Sequence, residues 1–367
     1  MKELNHLQLL PYDYNYQQWD ELLNTWEEPK YRLEQIWHGL YVNLWHFPII
    51  DNKEWTNIPI QLRERINNHF SIHNLFVTQL IHSKDRKTSK ALFSSVDNLP
   101  IEAVLMQNGK DYGKLSSYTL CLSSQSGCAL NCRFCATGLM GFQRNLTCNE
   151  IIEQVIYFSH YLQEKGGRIS HVVYMGMGEP FLNYDEVIKS IAIFTHPTGL
   201  NLGQRKITIS TVGIIPGIKQ FIDLDTQVNL AISLHAANDE LRTSLIPINQ
   251  KYPLKEIVDI CLEYCSKTKR RITFEWALID NINDTPTQAK QLCQLIKGLL
   301  CHVNLIVFNP SPHCNYHPSN RVKVEEFQSI LLQHKIPCTI RGKWGIDIYA
   351  GCGQLAAYKK IPPKNPL

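Results

Sequence analysis

The chain has 367 residues, of which 44% are hydrophobic and 19% charged, with a formal net charge of +4. That is enough apolar material for one large domain and a smaller one, and a charge balance that permits nucleic acid without indicating it. Its twelve cysteines, with no apolar leader after Met1 and no uncharged apolar run of the ~18 residues that span a bilayer, argue against a secreted disulfide framework and a membrane protein, and for a cytoplasmic one.

Residues from about 16 to 75 carry apolar side chains at helical spacing, with Trp19, Leu22, Leu23 and Trp26 on one face and Leu33, Ile36, Trp37, Leu40 and Tyr41 on another. They predict a small helical region whose aromatics are core. The stretch Ser83–Lys90 reads as a basic turn between two short strand-like runs, solvated or touching phosphates. Ile101–Met106 reads as a strand with one carboxylate, Glu102. An alternating strand points that side chain outward; facing inward, desolvation would raise its pKa toward general-base use.

From about residue 115 strands and helices alternate. Strands are predicted over Tyr118–Ser123, His171–Met175, Ile207–Thr211, Val228–Leu234, Ile272–Leu278 and His302–Phe308. Helices are predicted over Glu150–Lys165 and near 184–195, 254–267 and 285–300. About six strand–helix repeats imply a parallel sheet, open or curled into a partial barrel, with its site beyond the C-terminal strand ends. The unusual residues fall at those ends: Cys128–Cys135, then Gly176–Pro180, Ser210–Gly213, Ser233–His235 and Asn309–Pro310. Gly178 permits close backbone approach to a ligand, and Glu179 offers an acceptor for a hydrogen bond or an ammonium.

Cys128-Ala-Leu-Asn-Cys132-Arg-Phe-Cys135 is a C-x-x-x-C-x-x-C motif. Three thiolates suit a soft metal centre, and in a cubane iron–sulfur cluster they leave one iron without a protein ligand, open to substrate or cofactor. The competing reading is a zinc site completed by a distant fourth ligand. Cys352, between Gly351 and Gly353, reads as a reactive thiol on a flexible exposed loop, and Cys121, on the first strand, reads as facing the same rim. Cys261 and Cys265, one helical turn apart, and Cys148, Cys293, Cys301 and Cys338 read as buried thiols. Cys314 with His313 and His317 forms a loop cluster that could take adventitious zinc.

The cysteine motif with Gly178-Glu179-Pro180 resembles the radical S-adenosylmethionine superfamily. The stretches Cys121–Cys128, Met175–Pro180, Ile209–Pro216, Ser233–Ala236, Ile246–Asn249 and Cys352–Leu355 are similar to the RlmN/Cfr group of RNA adenine methyltransferases. The resemblance spans nearly the whole chain. It implies an α/β partial (β/α)6 barrel over 96–345, a helical accessory and RNA-binding region over 1–95, and a C-terminal tail over 346–367 carrying the methyl-bearing cysteine. It implies a 4Fe–4S cluster on Cys128, Cys132 and Cys135, and S-adenosylmethionine, two per turnover, against Gly178, Glu179, Ser210, Ser233, Leu234, His235 and Asn309. One cofactor molecule would methylate Cys352; a second would yield the radical that activates that methyl group for addition to adenine. Cys121 would resolve the thioether adduct through a transient disulfide, and Glu102 would remove the ring proton.

The implied substrate is 23S ribosomal RNA, with tRNA beside it, and the implied partner is an electron donor such as flavodoxin or ferredoxin, acting on a monomer away from membranes. Gly178-Glu179-Pro180 and Leu245–Asn249 look like the branch that methylates carbon 2. Cys135–Gly138 and Trp344–Ile348 look like the branch that methylates carbon 8. The first branch is the favoured reading, and a non-catalytic zinc or iron–sulfur RNA-binding module is the remaining rival. Tyr349 and Gly351 depart from the family's tail, Gly351 adding only flexibility. Lys267–Arg271, Lys359 and Lys360 are candidate phosphate contacts, each more readily a solvated face.

Overall fold

In the computed structural model residues 10–47, 53–71, 75–108, 117–312, 314–342 and 344–356 are described; His313, Lys359 and Lys360 lie outside them. The chain opens with α1 (Tyr16–Thr25), α2 (Tyr31–Tyr41) and α3 (Ile60–His69). A capping box between Asn15 and Gln18 starts α1 by satisfying free amide groups at its end. Trp19, Trp37 and Trp55 are fully buried, so these aromatics are core as predicted. Tyr16 stacks on His196 at 4.4 Å, and Asp13 accepts a hydrogen bond from the Asn149 amide, which ties the helices to the barrel.

The chain then forms β1 (Leu75–His82), β2 (Thr88–Ser95), β3 (Pro100–Asn108) and β4 (Ser117–Cys121), an antiparallel meander. A hairpin of β5 (Gln125–Gly127) and β6 (Phe142–Asn145) brackets the cysteine loop and a short α4 (Ala136–Met140). There follow α5 (Cys148–Gln163), β7 (Ile169–Tyr174), α6 (Tyr184–Phe194), β8 (Ile207–Thr211), α7 (Ile215–Asp223) and β9 (Asn229–Ser233). The series ends with α8 (Asp239–Leu245), α9 (Leu254–Thr268), β10 (Ile272–Leu278), α10 (Pro286–Leu295), β11 (Cys301–Val307), α11 (Arg321–Gln333) and β12 (Cys338–Ile340).

Strands β1 to β4 and β7 to β12 make one ten-stranded sheet in chain order, parallel from β4 onward. Residues at the ends of β7, β8, β9, β10 and β11 line one cavity, which a flat sheet cannot arrange, so the sheet is curled into the expected partial barrel. The sheet also crosses position 95: β1 and β2 extend it through the pairing of β2 with β3, so the N-terminal helices end before the sheet begins. No helix among the described residues is long and apolar enough to cross a membrane.

Candidate active site

The cysteine loop is shaped by glycine. Gly127 has φ +73°, and a Cβ there would sit 1.9 Å from the Gly141 carbonyl oxygen, which accepts from the Cys128 amide at 3.0 Å. Only glycine allows that approach. Cys135 precedes α4 and its amide donates to the Cys132 carbonyl at 3.1 Å. The three thiols line one wall of a cavity at the C-terminal strand ends. Burial pushes the Cys128 thiol up to about 12, and burial with the two neighbouring thiols also holds Cys132 well above the ordinary thiol range. Such a site favours thiolates only when a cation enters it. Among the described residues no three Cys, His, Asp or Glu side chains gather closely enough to hold a single metal ion. Three cysteine thiols lining one cavity are the soft donor set that an iron–sulfur cluster takes, so the residues fit such a group.

Facing them are Gly178, Glu179, Ser210, Ser233, His235 and Asn309. Gly178 has φ +101°, and a Cβ would lie 2.6 Å from that of Gln125. The buried Glu179 carboxylate accepts from the Val212 amide at 2.9 Å and the Phe181 amide at 3.1 Å, while burial raises its pKa to about 7. Leu234 is not on this wall. It is fully buried and contributes its backbone, its amide donating to the Glu275 carbonyl and its carbonyl accepting from Arg242.

His235, with φ +59°, accepts the Ala277 amide proton on Nδ1 at 2.9 Å, so its own proton sits on Nε2. Burial, and then Arg242, lower its pKa to about 3. The unfolded imidazole titrates near pH 6.5. Stability is therefore full above that pH and lost as pH falls toward 3, because the unfolded chain binds the proton first. Between about pH 7.5 and about pH 5 the wild type is expected to lose about 2 kcal/mol more, from urea midpoints, than His235→Gln. Equal losses in both proteins would refute this assignment.

Cys121 and Cys352 line a second cavity with Arg341, Trp344, Asn108 and Thr119. The two cavities share Met175, Ile306, Asn309, Cys352 and Leu355, so they meet at Cys352. Cys121 is buried and its thiol is raised by that burial, with the nearby Arg341 opposing. The Cys352 side chain is exposed, as expected, but its loop is pinned. Thr137 Oγ1 donates to the Leu355 carbonyl at 2.6 Å, the Ala136 amide to the Gly353 carbonyl at 2.7 Å, and Gln354 Nε2 to the Pro310 carbonyl at 2.7 Å. Gly351 corrects its expected role. A Cβ there would lie 2.6 Å from Asn309 Nδ2 and 2.8 Å from Gln354 Oε1, so it serves close packing. Tyr349 is buried, and its carbonyl accepts from Lys90 at 3.2 Å.

Glu102 corrects the outward reading. It is 1% exposed and pairs with the equally buried Lys90 at 2.9 Å, joined through Lys90 to the loop of Cys352 but on neither cavity wall. Three further residues escaped the sequence reading. Glu275 lines the first cavity and meets Arg341 at 3.6 Å, and a lone carboxylate in the apolar run Ile272–Leu278 was its signal. Arg341 follows β12, too short to show periodicity. Arg242, buried among strand-end carbonyls, lies on a helix of ordinary polar residues and gave no signal. All twelve cysteines are free thiols.

Comparison with known proteins adds to this geometry. Residues 122–290 match the model of the Radical SAM superfamily. Over 337 residues the chain is 44% identical to a probable dual-specificity RNA methyltransferase RlmN from Dictyoglomus thermophilum, covering 92% of this chain and 93% of that protein. A probable RlmN from Geobacillus kaustophilus is 45% identical over 333 residues, 91% and 88% of the two chains. The crystal structure of a radical SAM methyltransferase from Sphaerobacter thermophilus superposes with a TM-score of 0.89 at 40% identity, covering 95% of this chain and all of that one.

Proposed function

The chain belongs to the RlmN family of radical S-adenosylmethionine RNA methyltransferases, and from that premise we propose that it methylates carbon 2 of an adenosine in 23S ribosomal RNA and in tRNA, through a methyl group carried on Cys352. The observation that carries the reading is the pair of thiols, Cys121 and Cys352, on one cavity that opens into the cavity of the cysteine triad. Carbon 2 of adenine is electron-poor and does not attack a methyl donor. A carbon radical on a protein sulfur gets round that barrier, and a second thiol in reach then frees the product.

Cys128, Cys132 and Cys135 would hold the 4Fe–4S cluster, and Glu179, Ser210, Ser233, His235 and Asn309 would orient S-adenosylmethionine. Bound there, cluster and cofactor supply the methyl group and a one-electron route to a radical, two cofactor molecules serving each turnover. Cys352 receives the methyl group and joins to the base. Cys121 attacks the Cys352 sulfur, the electron pair of the sulfur–carbon bond leaves with the carbon, which takes up a proton to become the methyl group of the product, and the disulfide left behind is then reduced. Glu102, which lines neither cavity, would act as the base only after movement of the Cys352 loop, and its link through Lys90 to the Tyr349 carbonyl supports that coupling. A monomer working with a flavodoxin- or ferredoxin-type donor completes the reading.

The test is mass spectrometry of nucleosides from RNA incubated anaerobically with reconstituted protein, S-adenosylmethionine and a reductant. 2-Methyladenosine is the expected product. 8-Methyladenosine would move the protein to the other branch of the family, and neither product from protein with an intact cluster would overturn the assignment.

A further inference from the structure

We propose that the pole of the barrel opposite the active site is a second RNA-binding surface, on which Arg205 and Arg270 grip the phosphate backbone of a folded substrate RNA at a distance from the reacting base. The proposal rests on the reading of the chain as an RNA methyltransferase. Its basis is a cluster at the N-terminal ends of β8, β9 and β10. Arg205 Nε and Nη2 donate to Gln227 Oε1 at 3.2 and 3.1 Å, and Arg270 Nη1 donates to the same oxygen at 2.7 Å. Two guanidinium groups thus converge on one neutral amide oxygen. Neither forms an ion pair among the described residues. By contrast, neighbouring Lys267 is neutralised by Asp223 at 3.5 Å and Glu263 at 2.9 Å.

Like charges held together without a carboxylate repel, and a folded chain gains nothing from that unless an anion sits between them. The cluster is also pre-shaped. Asn229 Oδ1 accepts from Arg270 Nη2 at 2.9 Å, and its Nδ2 donates to the Arg205 carbonyl at 2.8 Å, so one side chain holds the Arg270 guanidinium and the Arg205 backbone. Planar donors fixed in advance match phosphate oxygens and lose little freedom on binding.

The row continues beyond this pair. Lys206 and Arg168 border an adjoining groove of about 670 Å³, whose lining includes Gly199–Gly203. Strands β7 to β10 are neighbours, so cations at their starts spread over about 15 Å, long enough to follow a backbone rather than cap one anion. The strands are 5 to 7 residues long, which sets the row about 20 Å from the cavity mouth. A compact folded RNA is large enough to touch both; a short hairpin seated at the mouth is not.

The experiment uses the full chain with its cluster reconstituted, as wild type, as Arg205→Gln/Arg270→Gln and as Arg205→Glu/Arg270→Glu, folding being checked by circular dichroism. The probes are a full-length tRNA transcript and a short hairpin bearing the same target adenosine, bound across a range of salt. For the full-length RNA, Kd is expected to rise about tenfold in the Gln variant and further in the Glu variant, the slope of log Kd against log salt falling by about 1.5 to 2 as two phosphate contacts are lost. Hairpin binding and hairpin methylation are expected to stay unchanged. Unchanged affinity and slope with the full-length RNA would overturn the proposal, leaving a solvated face. Equal losses on both RNAs would overturn it in favour of a disturbed active site, and intact RNA binding with lost reduction by flavodoxin in favour of an acidic protein. A wild type that binds the full-length RNA through this pole yet methylates neither RNA would instead strike the functional reading alone.

Discussion

Cys121→Ala is expected to accumulate as a covalent complex with its RNA that survives denaturing electrophoresis, while product formation falls by orders of magnitude. In the proposed reaction the base is joined to the Cys352 sulfur through one carbon. A thioether does not hydrolyse, so release depends on a second thiol that attacks that sulfur. Cys121 lies on β4, buried, and lines the same cavity as Cys352. Burial holds the Cys121 thiol above its ordinary range, and Arg341 on the same wall opposes part of that rise. The strand fixes Cys121, whereas Cys352 rides on a loop, so the loop brings the partners together. Cys121→Ala/Cys352→Ala is expected to give no adduct and no product, which shows where the bond forms. Normal turnover by Cys121→Ala without an adduct would remove the two-thiol mechanism.

The largest loss of stability is expected from Arg242→Ala, about 3 to 5 kcal/mol by urea denaturation. Arg242 is fully buried and spends its donors on the strand-end loops. It reaches the Leu234 carbonyl at 3.1 Å, the Ser233 carbonyl at 3.1 Å, the Val212 carbonyl at 2.6 Å and Asn249 Oδ1 at 2.7 Å. With its charge spread over these acceptors and no carboxylate in hydrogen-bond contact, burial draws its pKa down to about 10. Truncation would strand several buried acceptors and open a cavity at the same place. Arg242→Met, which keeps most of the volume, separates the two effects, and Arg242→Lys should rescue little because one ammonium cannot span a planar fork of acceptors. If Arg242→Met and Arg242→Ala both stayed within about 1 kcal/mol of wild type, the loops would be held by something other than this arginine.

Local pattern alone placed the strands that matter most. Ile207–Thr211 and Ile272–Leu278 have in the structure the bounds that the sequence predicts, because both are short segments rich in the β-branched and aromatic residues that suit a pleated strand. The cysteine spacing and the Gly178-Glu179 turn were legible for a similar reason: their chemistry is set by residue type over a few positions. The same regularity of strand then helix puts the site at the C-terminal rim of the sheet.

Orientation and partnership were not legible, since they depend on residues far apart in the chain. Alternation predicted Glu102 outward, yet Ile101 to Leu105 are all buried because β3 is covered on both faces, and Lys90 on β2 neutralises the charge. Gly351 looked like slack in a loop until Asn309, from another strand end, was seen pressed against it. Arg242 and Arg341 carry no local signature, and Glu275 only that of a lone carboxylate in an otherwise uncharged strand. The sequence by itself determined where the central strands lie and where the cysteine loop falls among them. The tertiary structure decided which way buried charges point and what they hold, because the free energy of a buried polar group is fixed by the partners that only folding brings within reach.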